Sequence, residues 1–521
     1  MLGILKKELG WDRILEQEGL KYDVLTKIPE EYFEPIIVNR ELTDTEVTKL
    51  KILLNDGLAI ITDFPNLKKI IKDFDCKPTK ISYILSDASD IFKNIIAVDL
   101  KLSGYKSRLA DTGFIASKIP AIYQGKYGNG YIVGLPFDVN HAVCDHRYER
   151  KAFYYTSRRF PNELASAVSK GDIRKLVVNC LKKLYAKMQL PYCHVWYYPE
   201  KYSSVFAFRV DTDFGPIECL TATFELEKNQ ETIFTYFVNT KEHYYVLQFQ
   251  RDFQIHCHVH KVFKDYQRNY DNIKQAKDIL EKFGIIPVGF VSPFGLWNEN
   301  LQRAIEDCDI KYSSEFTLGY DDLPFSSIIY KRKSNVMQIP VHPICIGRLI
   351  HAGLSKDKCI KYYKRYFDLQ YQANEPMFIY DHPRRIAQFT AVFDEILTMA
   401  SEYPSVWITT LTAFHQWWEK RLTALKNSQF EISKNKITIN TLEQHEQIFY
   451  HIILPDQHET FIKIKNGHHR LRRSLYKPIK ETKMNDKEID RYHIQKSNRV
   501  RLQMKLYESI DKIWGILEKN I

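Results

Sequence analysis

At 521 residues and 44% hydrophobic content the chain can bury a sizeable core, and its length suggests two to four domains rather than one. No apolar run reaches the roughly 18 residues that a membrane-spanning helix needs, and Lys6-Lys7-Glu8 puts charges where a signal peptide needs its apolar stretch, so a cytoplasmic protein is expected. The formal charge of +11 is uneven: from Lys463 onward 16 Lys/Arg stand against 7 Asp/Glu, an excess of +9 that leaves the rest at +2.

Such a basic tail can bind an anionic glycan or an anionic membrane surface, which would place the protein at the inner membrane face, while a solvated helical face is the plainer reading. No nucleic acid is expected among the partners. The nine cysteines are scattered and contain no Cys-x-x-Cys, which argues against a disulfide framework or a cysteine-based zinc site.

In chain order, residues 1–150 read as a small α/β domain. Short apolar runs (Leu58-Ala59-Ile60-Ile61, Ile81-Ser82-Tyr83-Ile84-Leu85, Ile95-Ile96-Ala97-Val98) alternate there with charged, helix-compatible stretches, as in parallel strands with covering helices. The glycine-rich stretch from Gly125 to Phe137 lacks both the GxGxxG order and the Lys-Ser/Thr of a phosphate-binding loop, so a structural turn is expected. Its wording resembles the last strand of glutamine-amidotransferase-like domains, without a convincing nucleophile.

Residues 151–195 form a helical, basic connector, with its helix at about Glu163 to Met188. Residues 196–421 form a second α/β region whose strands and helices alternate at barrel-like spacing. Residues 422–521 begin with period-two segments (Phe430 to Ser433, Lys436 to Asn440, Phe461 to Ile464), which predict a small β unit. Apolar positions at helical spacing follow (Ile489, Tyr492, Ile494, Val500, Leu502, Leu506, Ile510, Ile513, Leu517) and predict closing helices.

The chemistry concentrates in two places. The apolar run from Val205 ends in Arg209, Asp211 and Asp213, which share one face of a strand at its C-terminal end, where a barrel enzyme places its site. Two carboxylates on one face repel unless a cation or a shared proton compensates, although aspartate at a strand end is also common turn chemistry. The second place is His256-Cys257-His258-Val259-His260. On a helical turn His256 and His260 share a face and His258 points away; in an extended chain all three align; either geometry lets His256 and His260 share a cation. A carboxylate with two imidazoles suits zinc or another divalent transition metal with open positions for water.

The order of these pieces resembles the NodB-homology polysaccharide deacetylases over residues of about 204–421. Asp211-Thr212-Asp213 is similar to the family's first motif, His256-x-x-x-His260 to its metal histidines, the stretch from Gly289 to Gly295 to its third motif, and Phe378 to Pro383 to the late strand that carries an acid histidine. The resemblance implies a distorted (β/α) barrel preceded by a small α/β domain and followed by a small β unit with C-terminal helices. It implies hydrolysis of a carbon–nitrogen, non-peptide bond: removal of an N-acetyl group from a carbohydrate substrate, dependent on a divalent metal ion, with zinc expected. Asp211 would be the base, His382 the acid, Asp213, His256 and His260 the metal ligands, and Pro293, Phe294 and Gly295 would shape the groove and oxyanion site. Where the family's third motif opens with an arginine this chain has Val291, and Arg209 is the candidate brace for Asp211 in its place. The aspartate that would orient His382 is sought at Asp321 or Asp322. The alternatives are a catalytically degenerate glycan-binding relative and a hydrolase of amide bonds outside sugars.

Overall fold

The computed structural model describes residues 1–115, 119–153, 160–433, 436–479, 491–492 and 494–517. By contact the chain forms two compact units. One comprises residues 1–145, 168–201 and 417–489, and the other residues 146–167, 202–416 and 490–521.

The first unit is built on a nine-stranded mixed sheet. Its parallel half runs in the order Tyr22–Val24, Leu2–Ile4, Ile36–Val38, Ala59–Asp63, Gly130–Leu135, and the remaining four strands are antiparallel. Ile36-Ile37-Val38 is wholly buried, the continuous apolar signature of a strand covered on both faces. Helix Asp44–Asn55 starts at a capping box in which Thr43 and Glu46 satisfy each other's exposed N–H groups. The glycine-rich stretch is a hairpin: Ile119–Tyr127 pairs with Gly130–Leu135 around Gly128, whose φ of 56° suits glycine. The period-two segments beyond residue 427 are strands, with Ser428–Ser433 pairing antiparallel to Lys436–Thr441 and Phe449–Ile453 to His458–Lys463.

The second unit carries seven parallel strands: Ser204–Asp211, Thr235–Asn239, Asp252–Cys257, Gly289–Phe290, Tyr312–Ser313, Arg332–Gln338 and Met377–Asp381. Phe325–Ile329 adds an antiparallel partner to Arg332–Gln338, and Val406–Ile408 also pairs with the first strand. Beyond Gln338 the chain bonds to both ends of the sheet, Ile339 N–H to Ser313 C=O at 2.8 Å and His342 N–H to Phe378 C=O at 2.9 Å. That last bond reaches Met377–Asp381 at the far edge of the sheet, which is curled and open, a half-barrel. Ser204–Asp211 is buried along its whole length, and its Phe206, Phe208 and Val210 pack into the unit's main core. The parallel strands point the same way, so their C-terminal ends gather at one mouth, where the charged residues stand.

Among the described residues no helix is long and apolar enough to cross a membrane. Helix Asn498–Leu517 fits the helical spacing read from the sequence, with Val500 and Met504 buried and Leu502 and Leu506 exposed. Residues 480–490, Ile489 among them, and 518–521 of the basic tail lie outside the described residues, as do the side chains of Ile510, Ile513 and Leu517.

Candidate active site

The first strand delivers Arg209 and Asp211 to one face, and the chain then turns sharply. Thr212 N–H still reaches Phe237 C=O at 3.0 Å, but Asp213 adopts a left-handed φ of 43°. Asn239 fixes that turn: its N–H donates to Thr212 Oγ1 at 2.9 Å and its side-chain amide to the Asp213 carbonyl at 3.0 Å. A non-glycine residue held at positive φ is strained, and here the strain aims a carboxylate across the mouth of the sheet.

His256 lies near the end of the third strand and His260 in the bend beyond it. Asn272, on helix Tyr266–Lys282, shapes that bend by accepting from His258 N–H at 3.0 Å and Val259 N–H at 2.6 Å and by donating to Val259 C=O at 2.9 Å. The result brings both outer imidazoles to one carboxylate oxygen: Asp213 Oδ1 stands 2.9 Å from His256 Nε2 and 3.1 Å from His260 Nε2. His258 takes no part, since its Nδ1 faces Thr240 Oγ1 at 3.1 Å. His256 Nδ1 donates to the Val291 carbonyl at 2.9 Å, which fixes the ring with Nε2 facing Asp213.

Asp211 does not meet that cluster. Both of its oxygens are held by Arg209, Nε to Oδ1 at 2.7 Å and Nη2 to Oδ2 at 2.6 Å, while Arg209 Nη1 donates to the Ser314 carbonyl at 2.7 Å. The guanidinium also lies over the rings of Phe237 and Tyr380. Such bidentate, ring-supported pairing fixes the direction of a buried carboxylate.

His382 reaches the other oxygen of Asp213, Nε2 to Oδ2 at 3.3 Å. Its neighbour Asp381 receives the His382 N–H at 2.9 Å and lies 3.6 Å from its Nδ1, and the other Asp381 oxygen accepts from Ile346 N–H at 2.7 Å. Asp321 is engaged elsewhere: both its oxygens are 3.0 Å from His342 Nδ1. Cys345 completes the surroundings, with its sulfur, an Asp381 oxygen and a His382 ring nitrogen all within 4.8 Å of one another. Burial alone would lower the His382 pKa, but the Asp213 charge, with Asp381 and Cys345 hydrogen-bonding, holds it well above the ordinary imidazole value before any ion binds. Burial would raise the Asp213 carboxyl, but the His382 charge and the hydrogen bonds with His256 and His260 hold it well below the carboxylate range.

These groups open on a cavity of about 310 Å³. Asp211, Asp213, His256 and His382 line it together with Phe294, Gly295, Phe316 and Tyr380. Phe294 and Gly295 sit at positive φ, 61° and 59°, and a Cβ on Gly295 would stand 2.3 Å from the Phe316 ring. Pro293 is buried beside them. Phe214 and Phe294, each 62% exposed, meet His260 edge-on from ring distances of 4.9 and 5.2 Å. Asn239, Asn272 and Cys345 carry no sequence signal for a role at this site. Asp381 adjoins His382 in sequence, but strand alternation would send the two side chains to opposite faces.

No family model matches the chain, and no curated protein matches it. Among solved structures it is similar to a protein from Mycobacterium smegmatis described as a polysaccharide deacetylase (14% identity, 44% of this chain and 94% of that one, TM-score 0.39). It is also similar to an allantoinase (15% identity, 43% and 93%, TM-score 0.36) and to a CE4 family pseudoenzyme from Bacillus anthracis (12% identity, 42% and 66%, TM-score 0.29). Likeness at these identities and scores carries no activity over to this chain.

Proposed function

We propose that this chain removes an N-acetyl group from a carbohydrate by metal-dependent hydrolysis. One observation carries the reading: a carboxylate oxygen 2.9 and 3.1 Å from two imidazole nitrogens, in a cavity that a second carboxylate and a third histidine also line. Donors bound to one zinc-like ion at roughly 2.1 Å stand about 3 Å apart, so the spacing of Asp213, His256 and His260 fits such an ion. The Val291 carbonyl supplies the outer hydrogen bond that a ligating imidazole needs. An ion held there supplies Lewis acidity toward water and toward the substrate carbonyl.

The chain's own groups do the rest. Asp211, aimed by Arg209, takes the proton of the attacking water. The Phe294 N–H donates to the oxyanion that develops on the acetyl carbon. His382, held by Asp381, protonates the departing amine, so that acetate and a free amino sugar leave. The exposed rings of Phe214 and Phe294 beside His260 offer apolar faces for a sugar ring.

Acetate release by the pure protein from N-acetylated oligosaccharides, with and without added zinc and a chelator, tests the proposal. Release that the chelator stops and zinc restores supports it. Stoichiometric zinc binding without acetate release from any N-acetylated sugar leaves the degenerate reading, which Val291 favours.

A further inference from the structure

The cavity has a wall that the reaction does not use. Helix Ile346–His351 contributes Arg348 and His351 to it, and helix Pro383–Gln388 contributes Arg385. The two helices meet at Gly347, where a Cβ would stand in ordinary contact 3.6 Å from Arg385 Nε, so Arg385 packs beside the residue next to Arg348.

The charges of the cavity divide into those already matched and those left over. Asp211 is matched by Arg209, and Asp213 by the histidines and the proposed ion. Glu163, 6% exposed, is matched by Arg348 Nε on one oxygen and accepts the Leu164 N–H on the other at 2.8 Å. That pair anchors Arg348 at its Nε. Its side chain remains 38% exposed, and among the described residues no hydrogen bond engages its two terminal amino groups. Arg385 has no acidic partner among the described residues; its Nη1 donates to the neutral Gln388 Oε1 at 2.8 Å.

Arg348 is held by Glu163 with its terminal amino groups left over, and Arg385 faces the same cavity without an acidic partner among the described residues, so the wall carries a net positive charge and free N–H donors. An oxyanion at that wall would take charge-assisted hydrogen bonds from these donors, for which the planar guanidinium fork is suited. The wall lines the same cavity as Asp211, Asp213 and His382, so the anion and the reacting amide would belong to one molecule. We propose that Arg348 and Arg385 form a subsite for an oxyanion, a carboxylate or a phosphate, carried by the N-acetylated sugar. The inference rests on the reading of the cavity as a deacetylase site and deepens it: the substrate is acidic, and His351 adds to the attraction when protonated.

The test is calorimetric binding to the zinc-loaded full-length protein at fixed ionic strength. The probes are N-acetylglucosamine, N-acetylmuramic acid and N-acetylglucosamine 1-phosphate, with acetate release followed in parallel. At least one acidic sugar is expected to bind ten or more times more tightly than the neutral one, and which one tells carboxylate from phosphate. Arg385→Gln is expected to cut that ratio tenfold. Because Arg348→Gln alone strands the buried Glu163, the second variant is the double Glu163→Gln/Arg348→Gln, which removes both charges and is expected to cut the ratio likewise. Equal affinities for the three sugars, or a ratio unchanged in both variants, overturns the subsite. An intact preference that the variants abolish, with no acetate from any probe, supports the subsite and removes the hydrolase reading instead.

Discussion

Arg209 grips Asp211 through two parallel hydrogen bonds of 2.7 and 2.6 Å, across a single intervening residue of the same strand. Strand geometry puts residues two apart on one face, so the brace for this carboxylate comes from its own strand. A chain with Val291 where the third motif has its arginine can thus still present an aspartate of fixed direction at the mouth of the sheet.

Breaking the pair from the cationic side is therefore expected to affect both stability and turnover. Arg209→Ala leaves the buried Asp211 charge without a partner, at a cost of about 3–5 kcal/mol in urea unfolding. Acetate release should fall by roughly 10²-fold or more as the base loses its direction. The double variant Arg209→Gln/Asp211→Asn should recover part of the stability and none of the activity. Full activity in Arg209→Ala would remove the brace role.

The metal reading separates the three clustered histidines. Elemental analysis of the purified protein should give about one zinc-like ion per chain, and Asp213→Ala, His256→Ala and His260→Ala should each lose it. His258→Ala should keep it, because the His258 ring faces Thr240 and not Asp213. Equal metal loss in His258→Ala would mean that the ion sits elsewhere.

The convergence of Asp213, His256 and His260 was legible because each stands at or just beyond a strand end, where spacing along the chain translates into a shared mouth. The strand-versus-turn ambiguity at His256 to His260 was resolved only by Asn272, which closes the bend from a distant helix that no local pattern connects to it. Asp321 looked available to orient His382, but the same span of chain carries His342, which takes both of its oxygens. Asp381 escaped notice because Pro383 ends the strand there: at the start of a helix, adjacent side chains no longer alternate as in a strand. The basic wall was illegible for a similar reason, since Glu163 meets Arg348 across 185 residues. Of the three apolar runs read as parallel strands in the first unit, only Leu58 to Ile61 is one; Ile81 to Leu85 pairs antiparallel with the strand that begins at Ala97, because an apolar run marks a buried strand without specifying the direction of its partner.

Gly295 offers a test of the groove that leaves every polar group in place. At its φ of 59° any L-residue is strained, and a Cβ would stand 2.3 Å from the ring of Phe316, which itself stacks on Tyr380 with ring centres 5.6 Å apart. Gly295→Ala must shift both rings and the adjacent Phe294 N–H, so a stability loss of about 1–3 kcal/mol is expected. If that N–H donates to the oxyanion, kcat should fall more than KM changes. A change in KM alone would place the loop in binding and not in the chemical step.

Glu315 gives the second unit a pH signature of its own. It is fully buried, and burial pushes its carboxyl up to about 7, against the opposing pull of Ser313, Arg209 and the Ser292 N–H. An acid whose folded pKa lies above its unfolded value keeps its proton longer in the native state. Its contribution is therefore fully present below about pH 4.5 and is lost as pH rises to about 7. The shift corresponds to about 3 kcal/mol. Glu315→Gln cannot ionise, so its stability relative to wild type should climb by that order between pH 4.5 and pH 7.5 and stay level beyond. Urea unfolding of metal-stripped protein across this range is the appropriate measurement, because ion binding would add its own pH dependence. A difference that stays constant with pH would show that Glu315 is already ionised in the folded protein, with Arg209 and its hydrogen-bond donors outweighing its burial.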